Sequence, residues 1–243
     1  GYGALYQNTC GCNNFAVGYQ AAFVNTSGNN NFAVGYGTLR QNVTGSNNFA
    51  VGCNALYNNI TGSNNFGVGN YTMFQNTLGC NNFAQGYTAL YNNTSGNNNY
   101  AVGYRTLYCN VTGNNNFAVG QCSLKCNTSG SNNFAGGYGA LYNNITGNNN
   151  FAVGCNALYN NITGNYNIVI GTSAGCNLTG TNNIVIGCNA NPTVFQSNQI
   201  WLGNSSMTAQ YAPSATWSTI SDARDKACVT NLTLCGCLLY TSP

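Results

Sequence analysis

NNITGNNNFAVGCNALYNNITG, residues 143–164, opens and closes on the same five letters, and NNITG stands again at 58–62, with NNTSG at 92–96. A low-complexity polar tract would let such phrases drift in spacing and would hold few large apolar residues. Here the spacing holds. Counted from the aromatic of FAVG, copies begin at Phe15, Phe32, Phe49, Phe66, Phe83, Tyr100, Phe117, Phe134, Phe151 and Ile168, each 17 residues after the last. Two more follow at a step of 16, Ile184 and Ile200. The opening GYGALY fits the tail of an earlier copy, so the array is expected to be running already where the sequence begins.

Certain letters recur in every copy. Glycine stands three residues after the aromatic, from Gly18 to Gly203, and four before it, from Gly11 to Gly180. Asparagine directly precedes it from Asn14 to Asn183 and becomes Gln199 only at the end. Glycine at a fixed place implies a positive φ or a backbone approached too closely for a Cβ.

Seventeen residues are too few for a helical-hairpin repeat. Phe32, Val34 and Tyr36 alternate with Ala33 and Gly35, the period of two that a strand needs, and Thr38-Leu39-Arg40 reads as a second short extended piece. NVTGSN between them is turn chemistry. The expected fold is therefore all-β, a β-solenoid or β-roll of about twelve stacked coils. Each place in the repeat becomes a ladder of like residues. Phe, Val and Leu ladders (Leu39, Leu56, Leu90, Leu107, Leu141, Leu158) are expected to fill the core, with Ala and Gly at a contact between chains; the reverse arrangement stays open. The preceding asparagines can stack amide on amide, which satisfies a buried polar group and pins the register.

Charged residues are 3% of the 243, and residues 1–220 hold no acid, no histidine and three bases, Arg40, Arg105 and Lys125. That inventory supplies no acid–base pair, no carboxylate metal site and no nucleophile with a histidine partner. No enzyme, no metal and no cofactor is expected in the repeats. A net charge of +3, scattered, gives no nucleic-acid footprint, and the apolar runs are too short to enter a membrane.

Thirteen cysteines suggest a disulfide scaffold, yet most have no cysteine on a neighbouring coil. Cys109 and Cys126, 17 apart, would stack within bridging distance in an oxidising compartment. The turn also spells an N-glycosylation sequon at Asn25, Asn42, Asn59, Asn93, Asn110, Asn127, Asn144, Asn161 and Asn177. The same N-x-T/S-G letters serve a turn on backbone grounds alone, and the counterparts at Asn8 and Asn76 are not sequons. Bare turns and glycosylated turns both remain open.

The array (1–203) is followed by a non-repeat linker, 204–220, and then by SDARDK, residues 221–226, which holds four of the seven charges. WSTISDARDK resembles the start of the intramolecular chaperone domain at the C-terminus of phage tail spikes, tail fibres and endosialidases, whose signature Ser-Asp-x-Arg-x-Lys is met by Ser221, Asp222, Arg224 and Lys226. The resemblance implies a domain that brings three chains into register and then cuts itself off at Ser221, with Lys226 as base; a lysine of lowered pKa can deprotonate a serine beside it. Residues 221–236 would be only the start of that domain, and CLLYTSP, 237–243, reads as translated sequencing adapter and is set aside from the fold. NNFAVG and NNIVIG are similar to the head repeats of trimeric autotransporter adhesins, which are shorter than 17 residues.

Together these resemblances imply the structural and adhesive shaft of a phage or virus tail fibre, a homotrimer meeting a host-surface glycan or receptor through a tip outside this sequence. The alternative is a secreted, glycosylated cell-surface adhesin or extracellular filament. An ice-binding solenoid would need paired threonines, whereas Ser27, Thr44, Thr61 and Ser95 form a single mixed ladder.

Overall fold

Each repeat contributes one three-residue strand. The computed structural model describes residues 1–192 and 197–206, and Gly1–Ser206 form one unit. The strands are β1 (Phe15–Val17), β2 (Phe32–Val34), β3 (Phe49–Val51), β4 (Phe66–Val68), β5 (Phe83–Gln85), β6 (Tyr100–Val102), β7 (Phe117–Val119), β8 (Phe134–Gly136), β9 (Phe151–Val153), β10 (Ile168–Ile170), β11 (Ile184–Ile186) and β12 (Ile200–Leu202). They pair in parallel and in chain order, like residue on like, from Phe15 on Phe32 to Ile184 on Ile200. This is a β-solenoid. At about 4.8 Å per step it is roughly 50 Å long.

The alternation in the strand is as expected, but its sense is the reverse of the expectation. Ala33, Ala50, Ala84, Ala101, Ala118, Ala135 and Ala152 are fully buried, while the flanking Phe and Val point outward. The reason is the width of the coil. Leu39 and its equivalents, also fully buried, fill the interior from the opposite wall and leave room for little more than a methyl group. Where the alanine is Gly67, an added Cβ would lie 3.1 Å from Met73 Cε and 3.3 Å from Leu56 Cδ1. Of the three ladders expected inside, only leucine is there.

Thr38-Leu39-Arg40 is not a strand. Thr38 and Leu39 are adjacent and both fully buried, which the pleat of a strand forbids. A left-handed backbone at Leu39, φ 51°, turns the second side chain inward, and the same conformation recurs at Leu56 (51°), Leu107 (51°) and Leu158 (52°). Non-glycine residues adopt it rarely. Inter-coil bonds support it: Leu39 N donates to Ala55 O at 3.0 Å and Gln41 N to Tyr57 O at 2.9 Å, so the ladder of backbone bonds continues where no strand exists.

Two asparagine ladders complete the core. The residues before each aromatic stack as expected: Asn48 N donates to Asn31 Oδ1 at 3.1 Å and Asn48 Nδ2 to Gly62 O at 2.9 Å. The second ladder is Asn25, Asn42, Asn59, Asn76, Asn93, Asn110, Asn127, Asn144 and Asn161, each with no exposed surface. Asn42 Nδ2 donates to Asn25 Oδ1 at 2.6 Å and to Gly45 O at 2.8 Å. Amides paired this way spare the 1–3 kcal/mol or so that each unsatisfied buried group costs. The glycines before the aromatic are fixed by this ladder: a Cβ on Gly62 would lie 2.4 Å from Gly79 O and 2.5 Å from Asn59 Oδ1. Those after it combine close approach with positive φ, 137° at Gly35.

The 16-residue step closes the second ladder. Asn160 Nδ2 donates to Asn177 Oδ1 at 2.9 Å, so Asn177 stacks on Asn160, and buried Leu178 takes the place after Asn161.

Candidate interaction surfaces

A core of small side chains puts the large ones outside, in two surfaces of different character. On the strand face nine rings, from Phe15 to Phe151, stack with centroids 4.6–4.9 Å apart. The parallel register imposes this, and such pairs contribute ~0.5–1.5 kcal/mol each beyond area burial. Beside them runs a row of Val and Ile. Phe117 is 38% exposed and Val119 36%, so this apolar face meets water along its length.

Past the corner glycine lies a second face with two rails. One carries Tyr19 and Tyr36, centroids 5.2 Å apart, and Tyr87 and Tyr104, 5.7 Å. The other carries Tyr57, Phe74, Tyr91 and Tyr108 at 5.1–5.2 Å, then Tyr142 and Tyr159 at 4.8 Å. Rings stacked face on face present edges and hydroxyls to solvent rather than open faces.

All three bases of the solenoid lie here, and the described residues include no acid. Arg40 takes a place in the second rail, its Cζ 5.5 Å from both the Phe23 and Tyr57 centroids, and Nη1 donates to Tyr57 Oη at 2.8 Å. Arg105 lies 5.3 Å from Tyr104 and 5.7 Å from Tyr108. Lys125 Nζ lies 4.8 Å from the Tyr142 centroid and donates to its Oη at 2.6 Å; that bond is the main reason its ammonium titrates above the usual lysine range. Aromatic quadrupoles and phenol oxygens thus take the part that carboxylates usually play.

Burial, then neighbouring phenols, raises the Tyr91 and Tyr159 hydroxyls. Burial likewise raises the Cys109 and Cys126 thiols, against the opposing pull of Lys125. These two cysteines stack on adjacent coils as the spacing predicts, half-buried, with both thiols free.

The sequon asparagines divide. Asn25, Asn42, Asn59, Asn93, Asn110, Asn127, Asn144 and Asn161 are the inner amide ladder, 0% exposed, and the nitrogen that would carry a glycan is donating hydrogen bonds inside the coil. A glycan at any of them is incompatible with this fold, which corrects that candidate list. Asn177 is exposed because its coil is one residue shorter. Asn70, in Asn-Tyr-Thr, is a further exposed sequon that the turn-based reading passed over because it lies on the tyrosine rail. Scanning every N-x-S/T triplet instead of one turn would have found it.

Ser221, Asp222, Arg224 and Lys226 lie outside the described residues. Among the described residues no group of three or more His, Cys, Asp or Glu could hold a metal ion, and no helix is long and apolar enough to cross a membrane. An open groove of about 420 Å³ lined by Asn143, Ile145, Asn160, Ile162, Asn177 and Thr179 holds no titratable group. No family model, curated protein or solved structure matches the chain.

Proposed function

We propose that the chain is the shaft of a fibre, structural and adhesive, assembled from three copies and matured by the C-terminal segment that begins at Ser221. The carrying observation is the strand face, a stripe of outward aromatic, Val and Ile side chains broken in its second row by Gln85 and Gly136, on a chain with almost no charge. With aromatic side chains of ~150–250 Å², Phe15, Tyr100, Phe117 and Phe151 being 36–52% exposed and the other rings partly so, and a Val row beside them, the stripe offers on the order of 1,000 Å² of apolar surface. That exceeds the few hundred Å² a monomer ordinarily exposes, and matches the roughly 800 Å² that each partner gives to a stable interface. Like copies are the simplest partner, because stripes of the same pitch can meet in register about a shared axis. The phage or virus setting and the chaperone rest on the resemblance of Ser221-Asp222-Ala223-Arg224-Asp225-Lys226.

The test is the native mass of the shaft by gel filtration with light scattering. A threefold mass that falls to the monomer in Val68→Lys/Val102→Lys, two outward substitutions that leave the core alone, supports the reading. A monomeric unmutated shaft overturns the self-assembly. Separately, the full-length parent expressed beside Ser221→Ala should be cut at Ser221 only when the serine is present; an uncut parent removes the chaperone.

A glycosylated cell-surface filament is the second reading. It is favoured by the exposed sequons at Asn70 and Asn177.

A further inference from the structure

We propose that Cys109 and Cys126 are a redox modification site: a dithiol that a small-molecule disulfide converts to a clasp between two adjacent coils. Both residues follow the second aromatic rail, one coil apart, and the backbone around them is held tightly to the next coil: Cys109 N donates to Lys125 O at 2.9 Å and Cys126 N to Tyr142 O at 2.9 Å. In-register parallel neighbours sit about 4.8 Å apart at Cα, inside the ~4.4–6.8 Å that a disulfide spans. Cys109 and Cys126 each perturb the titration of the other's thiol, as side chains at the same place on adjacent coils do.

No other described cysteine has such a partner. Cys53 stacks between Tyr36 and Asn70, Cys80 between Ser63 and Asn97, Cys155 between Tyr138 and Thr172. Only at 109 and 126 do two fall on successive coils at the same place. Burial raises both thiols, and Lys125, the one cation among the described residues acting on both, offsets part of that rise toward the thiolate that attacks a disulfide. Cys122, on the same coil, is close enough to couple electrostatically to Cys126 and to Lys125.

The step balances without a metal or cofactor. One thiolate attacks the oxidant RSSR, breaking its S–S bond to give a mixed disulfide and RS⁻; the second thiolate displaces the remaining RS⁻ and forms the Cys109–Cys126 bond. The protein loses two electrons and two protons, and two RSH result. The clasp closes a 17-residue step, and loops of that size raise the unfolding midpoint of a chain this long by roughly 5–10 °C. The inference stands whether or not the shaft forms trimers.

The experiment equilibrates the whole chain with a glutathione buffer, alkylates the remaining thiols and maps the digest by mass spectrometry, with melting followed in parallel. A crosslink joining Cys109 to Cys126, retained in Cys122→Ser and lost in Cys109→Ser together with the gain in melting temperature, is the expected result. Alkylated Cys109 and Cys126 under conditions that oxidise a reference dithiol, or a crosslink from Cys126 to Cys122, overturns the proposal. The map of the unmutated chain decides by itself if a variant fails to fold.

Discussion

Gly175 stands opposite Val169 inside the coil: a Cβ placed on Gly175 would lie 3.4 Å from Val169 Cγ1. Elsewhere the same two places hold Leu and Ala, as in Leu158 and Ala152. Enlarging one wall by two methyls has been matched by emptying the other. At Gly67 and Met73 the exchange runs the opposite way, with a smaller strand residue facing a longer side chain. The interior is a fixed volume divided between two ladders.

Double-mutant analysis of that division is the first prediction. Ala152→Val alone should destabilise by ~1–3 kcal/mol through overpacking, and Leu158→Gly alone by ~2–5 kcal/mol through the cavity it leaves. Combined, they should cost at least 1 kcal/mol less than the sum, as measured by chemical denaturation.

Glycines differ sharply in what a methyl would meet. Gly113→Ala brings a Cβ to 2.4 Å from Gly130 O and from Asn110 Oδ1, so it should unfold coils locally and lower stability by ~3 kcal/mol or more. Gly136 lies on the outer strand face, with nothing nearer than Phe134 Cε1 at 3.6 Å, and Gly136→Ala should be neutral or gain up to ~1 kcal/mol. Equal effects in thermal melts would contradict the inner position of the Asn110 ladder.

Alkaline pH should weaken the reduced shaft. The Cys109 and Cys126 thiols titrate higher folded than free, so the unfolded chain sheds their protons first and stability falls as pH rises past about 8.5. Tyr91 and Tyr159, also raised, add the same trend above about pH 10. Lys125, raised mainly by the Tyr142 hydroxyl, gives stability that is whole below the free lysine pKa and is lost as pH climbs through its folded value. All five slope one way. Melting temperature should be level from pH 7 to about 8 and decline from there to pH 10.5, and Cys109→Ser/Cys126→Ser should remove the earlier part of the decline.

Secretion through a glycosylating host offers a test of burial. The folded product should carry glycan at Asn70 and Asn177 and none at Asn42, Asn93 or Asn144, by peptide mapping after enzymatic deglycosylation. Occupancy of Asn93 in soluble, cooperatively melting protein would show that the inner ladder is misplaced.

The period of 17 made the solenoid legible, because constant spacing with an alternating strand phrase leaves few ways to stack. It could not say which side of Phe32-Ala33-Val34 faces in, since alternation has no sign. The sign is set across the coil by Thr38 and Leu39 pointing inward together, and nothing in the propensity of leucine announces a φ of 51°. The inner place of Asn42 was hidden for a related reason. N-x-T-G reads equally as an exposed turn or a sequon, and only the bonds to Asn25 and Gly45 show the amide turned inward. Outside, stacked Cys109 and Cys126 followed from counting alone, whereas the meeting of Lys125, Cys122 and Cys126 required knowing how the turn folds.

The like-on-like register has a consequence for how such a gene can change. A whole copy removed or inserted brings together two surfaces that already fit, because each coil rests on one nearly identical to itself. Length is therefore a free quantity in steps of one unit, open to unequal recombination between copies. A shift of a single residue is tolerated only at a place like the turn after Asn161, where Leu178 ends a ladder. The molecule is a ruler that can be recut without being redesigned.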